Sequence, residues 1–170
     1  MFLAAAVRCG SRRASEIFGR NGMIPYDFCY GDSHVKARVA LEVDDVQAAL
    51  EAARAEAAKN GWAVSIAVVD DGGHPLGFLR LNEAAPLTAQ IAFGKARTAA
   101  LSRRESKFYE DAVKNGRTAF LSVSDLTLLE GAVPVAVGGQ CVGAVGVSGV
   151  KPEQDVQIDT AGLKAILARA

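Results

Sequence analysis

The apolar and polar positions along the chain alternate between helical and β-like spacing. Val46, Ala49, Leu50, Ala53 and Ala57 recur at helical intervals. Their alanine content favours a helix capped at Asp44 or Asp45 and stopped at Asn60-Gly61. Glu51, Arg54, Glu56 and Lys59 form its solvated face. Residues 63–69 and 75–81 are β-rich apolar runs, broken by Asp70-Asp71-Gly72-Gly73. A Gly-Gly pair tolerates φ > 0 at both positions, so the pattern predicts a tight hairpin. The rest of the chain is arranged around this stretch, Trp62 to Leu81.

After a turn at residues 82–86, a second helix is predicted over about 87–102. Its apolar set is Ile91, Phe93, Ala96, Ala99, Ala100 and Leu101, with Lys95, Arg97 and Thr98 embedded among small residues. A shorter helix follows over about 104–114 and stops at Asn115-Gly116. Residues 120–130 suit either short strands or a loop over the core. A second hairpin repeats the first, with residues 133–137, then Gly138-Gly139, then residues 140–147. Gly143 and Gly146 inside a strand predict close approach of a helix, another backbone or a ligand. A last helix begins near Pro152 and runs to about Arg169, with Val156, Ile158, Ala161, Leu163, Ile166 and Leu167 as its stripe. Hairpins imply antiparallel pairing, so the predicted class is α+β, a three-layer sandwich with helices packed on a central antiparallel sheet.

Composition narrows the function classes. Apolar residues make up 50% of the 170, enough for a substantial core, and 19 acids balance 19 bases. That balance, with no basic-aromatic patch, gives no drive toward nucleic acid. No apolar run is long enough to insert in a membrane as a helix. Cys9, Cys29 and Cys141 are scattered, odd in number and free of CxxC spacing, so free thiols are expected rather than disulfides or zinc. Residues 1–33 form an N-terminal extension ahead of a domain at 34–170. The extension has Arg8, Arg12, Arg13 and Arg20 against one acid, Glu16, by residue 22. An Arg-rich start fits a mitochondrial transit peptide, an untidy extension, or an upstream start with Met23 as the alternative. No secretory signal is expected, which makes the cytoplasm the expected location and the mitochondrion the alternative.

Few residues are placed to carry chemistry. His74 follows the first turn, where an imidazole serves as a haem ligand, metal ligand or proton shuttle, or simply faces solvent. Lys95 lies in the small-residue helix, where it can bind a carboxylate, attack a carbonyl, or snorkel from the helix edge. Asp70 and Asp71 are turn formers; if the protein is instead an enzyme acting on a small organic substrate in a catabolic or specialised biosynthetic pathway, Lys95, His74 and Asp70 are its candidate acid/base groups. Ser148-Gly149 can present N–H groups to an anion or merely punctuate strand and helix. The glycines of the second hairpin do not form GxGxxG, no Walker A motif exists, and Gly146-Val147-Ser148-Gly149 is not a nucleophile elbow.

VSIAVVDDGGHPLGFLRL, IAFGKARTAA, GAVPV and VGAVGVSGVKPEQD fall in one order and spacing. Together they carry a D-x-G-G-H, a K-A-x-T-A and a G-x-x-G-V-S-G-x-x-x-x-x-D pattern, and on these the chain resembles the GlcG/HbpS-like family, which is also known for the C-terminal domain of PduO-type proteins. The likeness covers roughly residues 39–168. It implies a profilin-like sandwich, homo-oligomers reaching octamers, and in some members haem binding, haem degradation, iron binding or redox sensing. It also implies His74 as the haem-iron ligand, and it maps Lys95, Thr98, Ser148 and Gly149 onto the ligand-binding pattern, with Asp155 closing it. A small-molecule ligand, haem or a related tetrapyrrole, is therefore expected. The sequence departs from the family pattern at Gly131-Ala132-Val133-Pro134, where Gly-Gly-Val-Pro is usual, and at Gly94, where asparagine often precedes the lysine. The stretch after Leu81 also lacks the usual acidic and Gly/Ser character.

Overall fold

The structure, a computed structural model, describes residues 38–170. The compact unit runs from Val39 to Ala170. The extension at 1–33, Cys9, Cys29 and His34 lie outside the described residues. Four helices and four strands follow in the order α1 (Val43–Lys59), β1 (Ser65–Asp70), β2 (Pro75–Arg80), α2 (Pro86–Ser102), α3 (Lys107–Lys114), β3 (Ala132–Val137), β4 (Gln140–Ser148) and α4 (Pro152–Leu167). The strands form one antiparallel sheet in the order β2-β1-β4-β3. Helices α1 and α4 cover one face and α2 the other, which is the expected α+β sandwich.

The two faces are packed by different means. Ile66, Val68, Val133, Val135, Val145 and Val147 fill the space under α1 and α4 together with Ile158 and Ile166. Each such side chain contributes about 1.5–3 kcal/mol on burial. The opposite face is built almost entirely of alanine, with Ala67, Ala132 and Ala144 of the sheet against Ala92, Ala96, Ala99 and Ala100 of α2. Small residues bring helix and sheet backbones together. A β-carbon on Gly146 would lie 2.6 Å from the Ala92 carbonyl oxygen and 2.7 Å from the Ala96 nitrogen. The glycine predicted to admit a close neighbour admits α2.

Several boundaries differ from the sequence reading, each for a local reason. Glu42 rather than Asp44 or Asp45 caps α1, because Glu42 and Asp45 form a reciprocal capping box. The second hairpin closes with the two-residue turn Gly138-Gly139, at φ 56° and 78°. The first does not. Four residues, Asp71 to His74, separate β1 from β2, because the Asp70 side chain organises a wider turn. Helix α2 ends with Arg103 in the left-handed region, at φ 56°, so α3 starts only at Lys107. Residues 120–130 contain no strand; a 3₁₀ turn (Thr118–Ser122) leads into irregular chain. Leu101, placed in the apolar set of α2, is exposed, while Lys95 and Thr98 are buried. No helix among the described residues is long and apolar enough to cross a membrane.

Candidate functional site

The first turn is built by Asp70. Its Oδ1 accepts the N–H groups of Gly72 at 2.9 Å and His74 at 2.8 Å, and its Oδ2 lies 3.1 Å from His74 Nδ1. Burial alone would raise the Asp70 carboxyl, but the hydrogen bonds from His74 and Gly72 outweigh it and hold the group below the usual aspartate range. Asp70 is therefore ionised near neutrality and can only accept hydrogen bonds. Nδ1 of His74 must then carry the proton, which leaves the lone pair of the neutral ring on Nε2. The imidazole itself is 73% exposed. A ring held by a carboxylate at one nitrogen and open at the other is the arrangement that metal-binding histidines use. Space at the turn is tight, since a β-carbon on Gly72 would stand 2.9 Å from the His74 ring.

An apolar shelf adjoins this turn. Gly77 faces α1, where a β-carbon would meet Val46 and Leu50. Strand alternation therefore turns Leu76 and Phe78 to the α2 side of the sheet. Helix α2 covers β1, β4 and β3 but leaves β2 largely bare, so Leu76 and Phe78 stay 43% and 48% exposed. On α2, Arg97 and Leu101 flank the turn, their side chains 2.9 and 3.5 Å from where a Gly73 β-carbon would be. Phe93 lies one turn earlier on the same helix flank. Leu76, Phe78, Phe93 and Leu101 thus border a surface with His74 at one end. A separate open hollow of about 550 Å³, lined by Arg54, Trp62, Arg80 and Asn82 among others, lies at the opposite end of β2.

A second polar group sits at the other end of the sheet. Lys95 is only 4% exposed and donates from Nζ to Asp155 Oδ2 at 2.8 Å and to the Val147 carbonyl at 3.0 Å. Asp155 also accepts the Val150 N–H. Burial pushes the Asp155 carboxyl up, and Lys95 pulls it back. One turn along α4, Asp159 is fully buried, and its Oδ2 has no hydrogen-bond partner among the described residues. Burial pushes its pKa up to about 8, with the Thr160 hydroxyl opposing and the Asp155 charge reinforcing. Gly131, at φ 120°, passes directly over this group, because a β-carbon there would meet Lys95 Nζ at 2.7 Å and Asp155 Cβ at 2.8 Å. Thr98 acts beside it as a strut, donating to the Gly94 carbonyl and accepting the Thr127 N–H. The Thr127 side chain occupies the space that a residue larger than glycine would need at position 94.

The residues singled out from the sequence therefore fall into two groups. His74 and Asp70 stand together at the hairpin tip, with Asp71 beside them. Lys95, Thr98, Ser148 and Asp155 are buried, and Gly149, at φ 150°, carries the chain tightly over Ala63 and Val64. Val147 pairs with Ile66, four residues before Asp70, so Lys95 and His74 are about 13 Å or more apart along the sheet. The fold of the described residues does not bring Lys95 within proton-transfer reach of His74. Sequence reasoning missed Asp159 and Arg97. The signal for Asp159 was its spacing, because Asp155, Asp159, Gly162 and Ile166 share one helical face that is buried throughout. Among the described residues no three His, Cys, Asp or Glu side chains gather as a metal-holding group.

Known proteins carry the same framework. The family model described as "Haem degrading protein HbpS-like" matches residues 41–164. Protein GlcG of Escherichia coli (strain K12) is 55% identical over 114 residues, covering 67% of this chain and 85% of GlcG. Among solved structures, a double mutant of Streptomyces reticuli HbpS superposes with a TM-score of 0.71 at 25% identity, covering 95% of this chain and 97% of that one. A PduOC:heme complex superposes at 0.69 and 25% identity, over 75% of this chain and 95% of the other. The sequence and the fold thus match a known lineage over most of the described residues, and the chain belongs to the HbpS-like family.

Proposed function

We propose that this chain binds haem or a related tetrapyrrole, with Nε2 of His74 as the iron ligand. The observation that carries this reading is the His74–Asp70 pair, which fixes the proton on Nδ1 and leaves an exposed nitrogen lone pair beside an apolar shelf. The haem complex of a structural relative and the family description support the ligand class. These residues fit the group, since an imidazole held at Nδ1 is oriented with Nε2 open to a metal. Leu76, Phe78 and Leu101 offer the apolar contact that a macrocycle needs. Bound haem would supply a redox-active iron. The chain's own part is to hold the imidazole, present the shelf and keep the turn rigid through Asp70 and Gly72. Lys95, Thr98, Ser148 and Gly149 act in this reading from behind, by fixing the packing of α2 and α4 on the sheet. The working form is taken to be a homo-oligomer, supported by a second exposed apolar set, Phe108, Leu121, Val123 and Leu129.

The test is a hemin titration followed by absorbance, with the mass of the assembly measured in parallel. Wild type should give a saturable Soret shift that His74→Ala abolishes. Equal binding by the two proteins would overturn His74 as the ligand.

A further inference from the structure

Arg97 is a charged group that the packing of the fold does not use. It sits one residue-width from the His74 turn, with its Cγ 2.9 Å from the position of a Gly73 β-carbon. Among the described residues it has no carboxylate partner, and Asp70 of the adjoining turn is engaged by His74. Its stem lies on the same flank of α2 as Phe93 and Leu101, against the shelf that Leu76 and Phe78 extend. The surface beside His74 is therefore apolar along its length and positive at the edge next to the imidazole. A guanidinium with five donors and no partner matches a carboxylate or a phosphate, and of the two a tetrapyrrole bears the carboxylate.

We infer that Arg97 recognises a carboxylate of the ligand, so that the shelf selects planar macrocycles bearing acidic side chains over their neutral counterparts. This rests on the proposed binding at His74 and adds a specificity determinant to it. An iron-bound macrocycle lying on the shelf has its rim within reach of a side chain rooted beside Gly73. A charge-assisted hydrogen bond there favours the acid form by about tenfold or more.

The experiment compares hemin with hemin dimethyl ester, which keeps the iron and the ring but removes both negative charges. Dissociation constants come from absorbance titrations of wild type, Arg97→Gln and His74→Ala. Wild type should bind hemin about tenfold more tightly than the ester. Arg97→Gln should weaken hemin to the level of the ester while leaving the ester unchanged. Equal affinity of wild type for both compounds, or an Arg97→Gln effect of the same size on both, overturns this inference. In that outcome His74-dependent hemin binding would survive, so the two readings fail separately. Binding of neither compound, with Leu76→Ser/Phe78→Ser converting an oligomer to monomers, would give the shelf to a second copy of the chain and overturn both.

Discussion

At the hairpin tip His74 and Asp70 hold each other in water, and at the far end of the sheet Lys95 and Asp155 hold each other out of it. The separations are similar, 3.1 Å and 2.8 Å. The energetics are not. An exposed pair is screened, and its net contribution is about 0–1 kcal/mol. What Asp70 provides is geometry, through a fixed tautomer and a fixed ring direction. In the buried pair each ion has lost its water, so neither tolerates loss of the other. The comparison teaches that similar contacts serve different ends in this chain. One orients a side chain toward a ligand, and the other locks three layers of structure together.

The largest expected effect breaks the buried pair. Lys95→Met leaves Asp155 charged and unpaired in the interior, and should destabilise the fold by about 3–5 kcal/mol in urea unfolding. Adding Asp155→Leu should recover much of that loss, because an apolar pair has no desolvation penalty. A single variant as stable as wild type would mean that the pair is not the lock described here.

Next comes Asp159. Its pKa in the fold, about 8, lies above the ordinary aspartate value of 3.8. The folded state therefore holds a proton that the unfolded state gives up. Stability from this source is fully present below about pH 4 and is lost as pH rises through about 8. Asp159→Asn cannot ionise. It should match wild type near pH 4 and exceed it above pH 8 by a few kcal/mol, since each unit of pKa shift corresponds to about 1.4 kcal/mol. Parallel pH profiles of the urea midpoint for the two proteins would exclude a buried neutral acid at this position.

The smallest effect on stability should come from the exposed pair. Asp70→Ala removes the acceptor for two backbone N–H groups and the ring partner of His74. About 1 kcal/mol of stability should go. Hemin affinity should fall more steeply than stability, because the imidazole loses its orientation. Unchanged hemin affinity in a folded Asp70→Ala protein would show that the pair does not prepare the ligand nitrogen.

Much of the fold was legible in the sequence because it is written in local signals. The alanine spacing of α1, Gly138-Gly139 between two β-rich runs, and the stop at Asn60-Gly61 each act over a few residues. The first hairpin was legible as a hairpin but not in its turn length, since a side chain, Asp70, rather than the Gly-Gly pair alone shapes the loop. The candidate site was legible only in part. His74 stood out by position, but its freedom at Nε2 depends on the carboxylate four residues earlier, and Arg97 read as one polar residue among several in its helix.

The sequence by itself determined the helices and hairpins, the antiparallel class, the family and the turn histidine, because helical periodicity, turn chemistry and short motifs are near-neighbour properties. Only the tertiary structure decided that Lys95 meets Asp155 sixty residues away, that Asp159 is buried with its Oδ2 unpaired among the described residues, and that α2 leaves β2 largely bare beside His74. Those facts depend on which faces come together and how closely. Here that closeness is set by a layer of alanine and glycine, whose small size brings backbones into contact and leaves long side chains to find partners across the layers.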